Sequence, residues 1–178
     1  MHKTPLILAL ALLPRALGAA PAPALAQRGE YLVTVMGCAD CHTPLKMGPQ
    51  GPEPDRSRWL SGHPADAAMP PAPKLGPGPW GWVGAADMTS FSGPWGVSFS
   101  ANLTSDPETG IGAWSEQTFI TAIRSGKHQG KGRDILPPMP WQTVRQATDA
   151  DLKAVFAYLQ STRPIRNAVP DVIPPITP

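Results

Sequence analysis

The chain has 178 residues, 42% of them apolar and 16% charged, with a formal charge of +2. That length holds one domain with a real core, and so small a charge excludes a binder of nucleic acid or anionic membrane driven by electrostatics. The 24 prolines, beside 17 glycines, argue against a mostly regular α/β or all-helical build, because every proline removes a backbone donor and fixes φ.

Residues 1–26 read as an export signal. Lys3 gives a weak positive start, Leu6–Leu13 is an apolar run, and Ala24-Leu25-Ala26 offers a small-x-small cleavage site. Pro14 and Arg15 interrupt the run far short of the ~20 residues that span a bilayer, so the mature chain is expected to have no membrane span. An uncleaved N-terminal helix or single-span anchor is the rival reading. Cleavage after Ala26 removes Lys3 and Arg15 and leaves 13 basic against 13 acidic residues. The expected product is a near-neutral exported protein, periplasmic or otherwise outside the cytoplasm.

The first helical pattern spans Arg28–Met36, with Tyr31, Leu32 and Val35 on one face and Gly37 as its stop. Directly behind it stands Cys38-Ala39-Asp40-Cys41-His42, the Cys-x-x-Cys-His spacing of covalent haem attachment. Two thiols three positions apart on a tight turn can each add to one vinyl group of a haem. The adjacent histidine is then directed at the iron from the same side of the ring. Three other readings compete. A thioredoxin-like redox pair expects a strand before the motif, and here a helix precedes it. Zinc would take Cys38 and Cys41 with two of His42, His63 and His128, but no second ligand pair stands at finger-like spacing. A disulfide across two intervening residues would be strained and close a trivial loop.

Residues 43–100 hold 11 prolines, 9 glycines and four of the six tryptophans (Trp59, Trp80, Trp82 and Trp95). This stretch cannot be helical, and short extended pieces such as Phe91–Ser100 are the most it is expected to contain. Its tryptophans predict that it packs on something rather than staying disordered.

A second helix is predicted from the N-cap Ser115 to about Ser125, with Phe119, Ile120 and Ile123 at helical spacing and Gly126 ending it. Arg124 and Lys127 sit where the helix dipole favours cations. Pro137-Pro138-Met139-Pro140-Trp141 follows, its prolines holding the backbone around Met139 extended with little entropy left to lose. The third helix is capped by Thr148, carries Asp149 and Asp151 in its first turn, and shows an apolar stripe of Leu152, Val155, Phe156 and Leu159. Beyond Pro164, residues 166–178 hold four prolines and are expected to lie extended on the surface.

A haem iron held by His42 needs its other face explained, and a thioether is a suitable soft ligand that raises the reduction potential. Met36 reads as core, Met47 would have to cross the ring edge, and Met69 and Met88 lie in the long loop without local rigidity. Met139 is the preferred ligand; filling a gap in an apolar core is its other reading. His128, on a turn that reads as solvated, is the runner-up, and His63 before Pro64 reads as ordinary polar surface.

With these residues in place the chain resembles the class I c-type cytochromes. The order matches theirs: a short helix, Cys-x-x-Cys-His, a middle helix, a proline-flanked methionine and a final amphipathic helix. The resemblance implies a mainly α, cytochrome c-like fold of about three helices around a haem, with the Pro/Gly/Trp-rich irregular insertion at 43–90. The domain would run 27–165, with first and last helices crossing so that Tyr31 and Leu32 approach Phe156 and Leu159. Asn102-Leu103-Thr104, Asp106-Pro107, Thr109-Gly110-Ile111-Gly112 and Trp114-Ser115 are similar to the cytochrome subunits of quinoprotein dehydrogenases. Those subunits usually carry three haem domains, whereas this sequence has one motif.

The resemblance implies one haem c with its iron, bound through Cys38, Cys41, His42 and Met139, and a carrier of single electrons rather than an enzyme. Its partners would be other exported or membrane-bound redox proteins, a dehydrogenase or a terminal oxidase. Trp114, Trp141 and Tyr158 are candidates for lining the pocket. An open-site peroxidase-type enzyme, with His128 and Arg133 as the nearest distal pair, and a gas-binding sensor are the alternatives.

Overall fold

The structure, a computed structural model, describes residues 22–73 and 75–175. Most of the expected leader lies outside the described residues. The first helix, α1 (Ala22–Val35), begins earlier than its sequence pattern. Gly37, at φ 68°, turns the chain directly into α2 (Cys38–His42). The middle helix α3 (Glu116–Ser125) has the expected caps, Ser115 accepting from the Thr118 N–H and Gly126 closing the end. A single turn, α4 (Trp141–Val144), follows the methionine segment. The last helix, α5 (Asp149–Ser161), has Thr148 accepting from the Asp151 N–H. The fold is therefore mainly α, but the described residues form five helices, two of them very short, rather than three.

Helices α1 and α5 cross and, with α3, enclose the core. Leu32 and Val33 of α1 meet Leu152, Ala154, Val155 and Leu159 of α5 and Phe119, Ile120 and Ile123 of α3, with Leu60 and Ile111 added from the connections. Each fully buried leucine side chain there contributes roughly 1.5–3 kcal/mol. The buried face of α1 differs from the expected one. Gly29, Leu32 and Val33 stand at i, i+3 and i+4 toward α5, so Tyr31 and Val35 turn outward and are 57% and 58% exposed. The Arg28 guanidinium lies over the Tyr31 ring, 5.5 Å from its centre.

The long connection is more ordered than its composition implies. Strands β1 (Leu45–Gly48) and β2 (Gly51–Pro54) form a hairpin in which Leu45 faces Pro54. A three-stranded antiparallel sheet joins β3 (Val83–Gly84), β4 (Ser90–Gly93) and β5 (Gly96–Phe99). The predicted extended run at Phe91–Ser100 is thus a hairpin, reversed at Pro94-Trp95. Trp59 packs against the core cluster and donates from Nε1 to the Tyr158 hydroxyl at 3.2 Å. Trp82 lies edge-on to Phe91. Trp80, by contrast, is 79% exposed.

The chain after α5 is pinned to this insertion. Ile173 exchanges backbone hydrogen bonds with Val97 on the free edge of β5, and the Asn167 amide reaches the carbonyls of Ser61 and His63. No helix among the described residues is long and apolar enough to cross a membrane.

Candidate functional site

The tight turn at Gly37 sets the geometry of the motif. Cys38, Ala39, Asp40, Cys41 and His42 occupy one short helix, so both thiols and the imidazole project from a single rigid unit. Cys38 and Cys41 are free thiols, partly buried, and no disulfide joins them. Burial pushes the Cys38 thiol up to about 11, with the Asp40 carboxylate adding to it, and raises Cys41 for the same reasons. A thiol that is protonated throughout the neutral range is a poor disulfide exchanger, which weakens the thioredoxin-like reading.

His42 is buried, and its Nδ1 lies 2.7 Å from the Ala101 carbonyl oxygen. A carbonyl only accepts, so the proton is on Nδ1 and Nε2 keeps its lone pair. Nε2 makes no hydrogen bond to any described residue. Burial lowers the pKa of His42, partly countered by the bond to Ala101, and so favours the neutral form. A neutral imidazole with one nitrogen tied to a carbonyl and the other bare is the arrangement of a metal-ligating histidine. Two free thiols on the same turn complete a donor set that fits a covalently attached haem. Among the described residues no three His, Cys, Asp or Glu side chains are grouped to hold a metal ion, so a zinc site lacks its further ligands.

The segment behind this turn is tied down as firmly. Thr43, fully buried, accepts the Leu60 N–H on its hydroxyl at 2.9 Å, and the Gly62 N–H donates to the His42 carbonyl at 2.8 Å. Asn102, next to Ala101, donates from its amide to the Ile165 carbonyl at 2.8 Å and accepts from the Thr104 hydroxyl at 2.7 Å. These contacts fix the backbone that carries the Ala101 oxygen.

Met139 lies half-buried in the turn before α4. Its own carbonyl accepts from the Trp141 N–H at 2.9 Å, and the Ser98 hydroxyl of β5 donates to the Pro137 carbonyl at 2.7 Å. The Trp141 indole lies over Gly126, where a Cβ would come within 2.5 Å of the ring. Strand β5 and the residues after it therefore hold both neighbourhoods: Ser98 the proline-flanked methionine segment and Ala101 the histidine.

The remaining candidates are scattered. Met36 packs against the core cluster, as expected. Met47 is 78% exposed on the β1–β2 hairpin, and Met69 lies with its sulfur 4.0 Å from the Ser90 hydroxyl. His128 is exposed on a short 3-10 turn, its ring edge-on to Trp114 at 5.2 Å, and its backbone N–H donates to the Arg133 carbonyl. His63 is the correction: it is completely buried rather than at the surface. Its Nδ1 donates to the Thr89 hydroxyl at 2.8 Å, which donates in turn to the Asp87 carboxylate at 2.8 Å. Its Nε2 is buried with no partner. Local sequence around His63 is polar and proline-flanked, and only the fold of the insertion over it accounts for its burial.

Ala101, whose carbonyl meets His42, and its neighbour Asn102 are not among the site residues expected from the sequence. Ala101 acts through its carbonyl, which no side chain announces. Asn102 lies in the Asn-Leu-Thr run that carries part of the resemblance.

A family model described as Cytochrome c matches residues 26–163. A nicotinate dehydrogenase subunit of Pseudomonas putida is 33% identical over 147 residues, covering 83% of this chain and 9% of that protein. The cytochrome c subunit of a quinone alcohol dehydrogenase from Gluconobacter oxydans is 28% identical over 157 residues, covering 86% of this chain and 25% of its own length. The gluconate 2-dehydrogenase cytochrome c subunit of Pantoea cypripedii is 29% identical over 149 residues, covering 83% and 26%. The chain thus spans about a quarter or less of the length of these relatives.

Proposed function

The chain belongs to the cytochrome c family, and from that footing we propose that it is an exported carrier of single electrons with one haem c, held by Cys38 and Cys41 and ligated by His42 and Met139. The observation that carries the reading is the state of His42: buried, neutral, Nδ1 tied to the Ala101 carbonyl and Nε2 free. The haem iron supplies one-electron redox chemistry between its ferric and ferrous states.

The chain's own residues contribute the rest. Cys38 and Cys41 fix the ring through two thioethers, so that the group stays with the protein in either redox state. His42 presents Nε2 from a helix turn whose orientation the Ala101 carbonyl locks. Met139 presents a soft sulfur from a backbone restrained by prolines on both sides, which favours the ferrous state and a higher potential. A ligand set this rigid limits the reorganisation that accompanies each electron transfer.

The relatives are subunits of dehydrogenases, and the proposed donor is accordingly a dehydrogenase outside the cytoplasm, with another redox protein as acceptor. The leader pattern at 1–26 supports export, and the one Cys-x-x-Cys-His motif of this sequence supports a single haem. The balance of charge expected after cleavage implies short-lived docking with little long-range steering.

The test is the absorption spectrum of the protein made in a host competent to attach haem. Haem that stays with the denatured chain, together with the weak far-red band of ferric iron bound to thioether sulfur in the native protein, is the expected result. Covalent haem without that band would replace Met139 with His128 or an open site. No covalent haem would return Cys38 and Cys41 to thiol chemistry.

A further inference from the structure

We infer that Asn167, in the proline-rich segment after α5, is a positioning residue for His42 that acts through the Ser61–His63 backbone and the Ala101 carbonyl and thereby sets the reduction potential. The inference rests on His42 being an iron ligand, as proposed above.

Asn167 stands 125 positions from His42 in the sequence, yet it is 9% exposed and every polar atom of its side chain is used. Its Nδ2 donates to the Ser61 carbonyl and to the His63 carbonyl, both at 2.8 Å, and its Oδ1 accepts from the Ala65 N–H at 2.9 Å. Its own N–H donates to the Thr109 hydroxyl at 2.9 Å. One amide thus holds three backbone groups of a loop that has no regular structure of its own.

The other side of that loop is pressed against the segment after β5 that carries Ala101. The Gly62 N–H donates to the His42 carbonyl at 2.8 Å, and the His63 N–H donates to the Ser100 carbonyl at 2.9 Å. Gly62 has φ 76°, and a Cβ there would stand 2.6 Å from the Ala101 oxygen, the atom that accepts from His42 Nδ1. The loop is therefore wedged between Asn167 and the peptide of Ala101, with room for nothing larger than glycine. Thr43, which follows His42, is bonded to Leu60 at the start of the same loop. A shift of residues 61–63 away from Asn167 moves the carbonyl that His42 Nδ1 is bonded to.

That bond matters to the iron because an imidazole that donates strongly from Nδ1 is a more basic ligand at Nε2. A more basic ligand stabilises the ferric state and lowers the potential. Loosening the loop weakens the bond, makes Nε2 a poorer donor and raises the potential.

The experiment compares the wild-type holoprotein with N167A, N167Q and G62A. Midpoint potential is measured by redox titration, and solvent exchange of the His42 Nδ1–H by nitrogen-edited NMR. N167A is expected to keep covalent haem and the far-red band, to raise the midpoint potential, and to quicken Nδ1–H exchange about tenfold, in keeping with partial loss of one hydrogen bond. N167Q, which keeps both donors, is expected to recover part of both changes. G62A, which pushes on the Ala101 peptide from the loop side, is expected to change exchange and potential without touching Asn167. A fall in thermal stability with potential and exchange unchanged in N167A overturns the inference and leaves Asn167 as a structural strap; should N167A not accumulate, the same unchanged pair in G62A overturns it. H42A, taken alongside, separates the two levels: native iron coordination in that variant would sink the ligand assignment itself, whatever Asn167 does.

Discussion

Gly29 of α1 lies flush against the Ala154 carbonyl of α5, where an added Cβ would stand 2.6 Å from the carbonyl carbon and 2.7 Å from Tyr158 Cβ. Those atoms belong to helix backbone or its first side-chain carbon, so no rotamer change can relieve the clash. Gly29→Ala gains about 1 kcal/mol in helix propensity, yet overpacking at a helix crossing costs typically 1–3 kcal/mol and more where backbone must move. The expected net loss is about 2 kcal/mol, read as a lower denaturant midpoint of the holoprotein. An unchanged midpoint would show that the two helices part without cost.

The caps and stripes of α3 and α5 are readable because each rests on a local rule: Ser115 and Thr148 accept from the third N–H, and Gly126 closes α3. The motif at Cys38–His42 is readable because its chemistry demands fixed spacing. The outward face of α1 is not, since Tyr31 and Val35 are apolar and only the position of α5 decides which side of the helix is covered. The burial of His63 and the reach of Asn167 are invisible in the sequence for a different reason. Both depend on pairing between segments far apart along the chain, in stretches whose proline and glycine content erases any periodicity. Ala101 contributes a carbonyl, which every residue has.

Cys38 and Cys41 are expected to hold the haem independently. C38A and C41A should each retain one thioether, so haem staining persists after denaturation in either single variant, at reduced yield. The double variant should lose all covalent haem while α1, α3 and α5 remain able to form. Persistence of covalent haem in the double variant would point to attachment elsewhere in the chain.

Met139 is expected to supply the sixth ligand. M139A should keep the covalent haem, lose the far-red band and bind added imidazole or cyanide far more readily than wild type. M139H should stay six-coordinate with a lower midpoint potential, because exchanging thioether for imidazole favours the ferric state. An unaltered spectrum and potential in M139A would move the assignment to another side chain, with His128 next in line.

His63 gives the protein a stability that depends on pH. Burial lowers its pKa from the ordinary 6.5, against the opposing pull of the Asp87 carboxylate 3.8 Å from Nδ1. A base whose folded pKa is depressed binds fewer protons folded than unfolded at any pH between the two values. Stability therefore is complete above about pH 6.5 and falls as the pH drops through that value toward the folded pKa. His128, only partly covered, titrates in the same direction through what desolvation it has and the nearby Arg133 charge, so the native protein should show a shared slope. Asp106 and Asp151, held low by hydrogen bonds from Thr109 and Arg28, lose their contribution only in more acidic solution. Replacing the imidazole by an amide, His63→Gln, removes one titrating group while keeping a donor for Thr89. Denaturant unfolding of the holoprotein at pH 7.5 and pH 5.5 (about one unit to either side of the ordinary histidine value) should show a smaller difference for this variant than for wild type. An equal difference in both proteins would mean that His63 binds its proton as easily folded as unfolded, and that the bare Nε2 finds a partner on protonation.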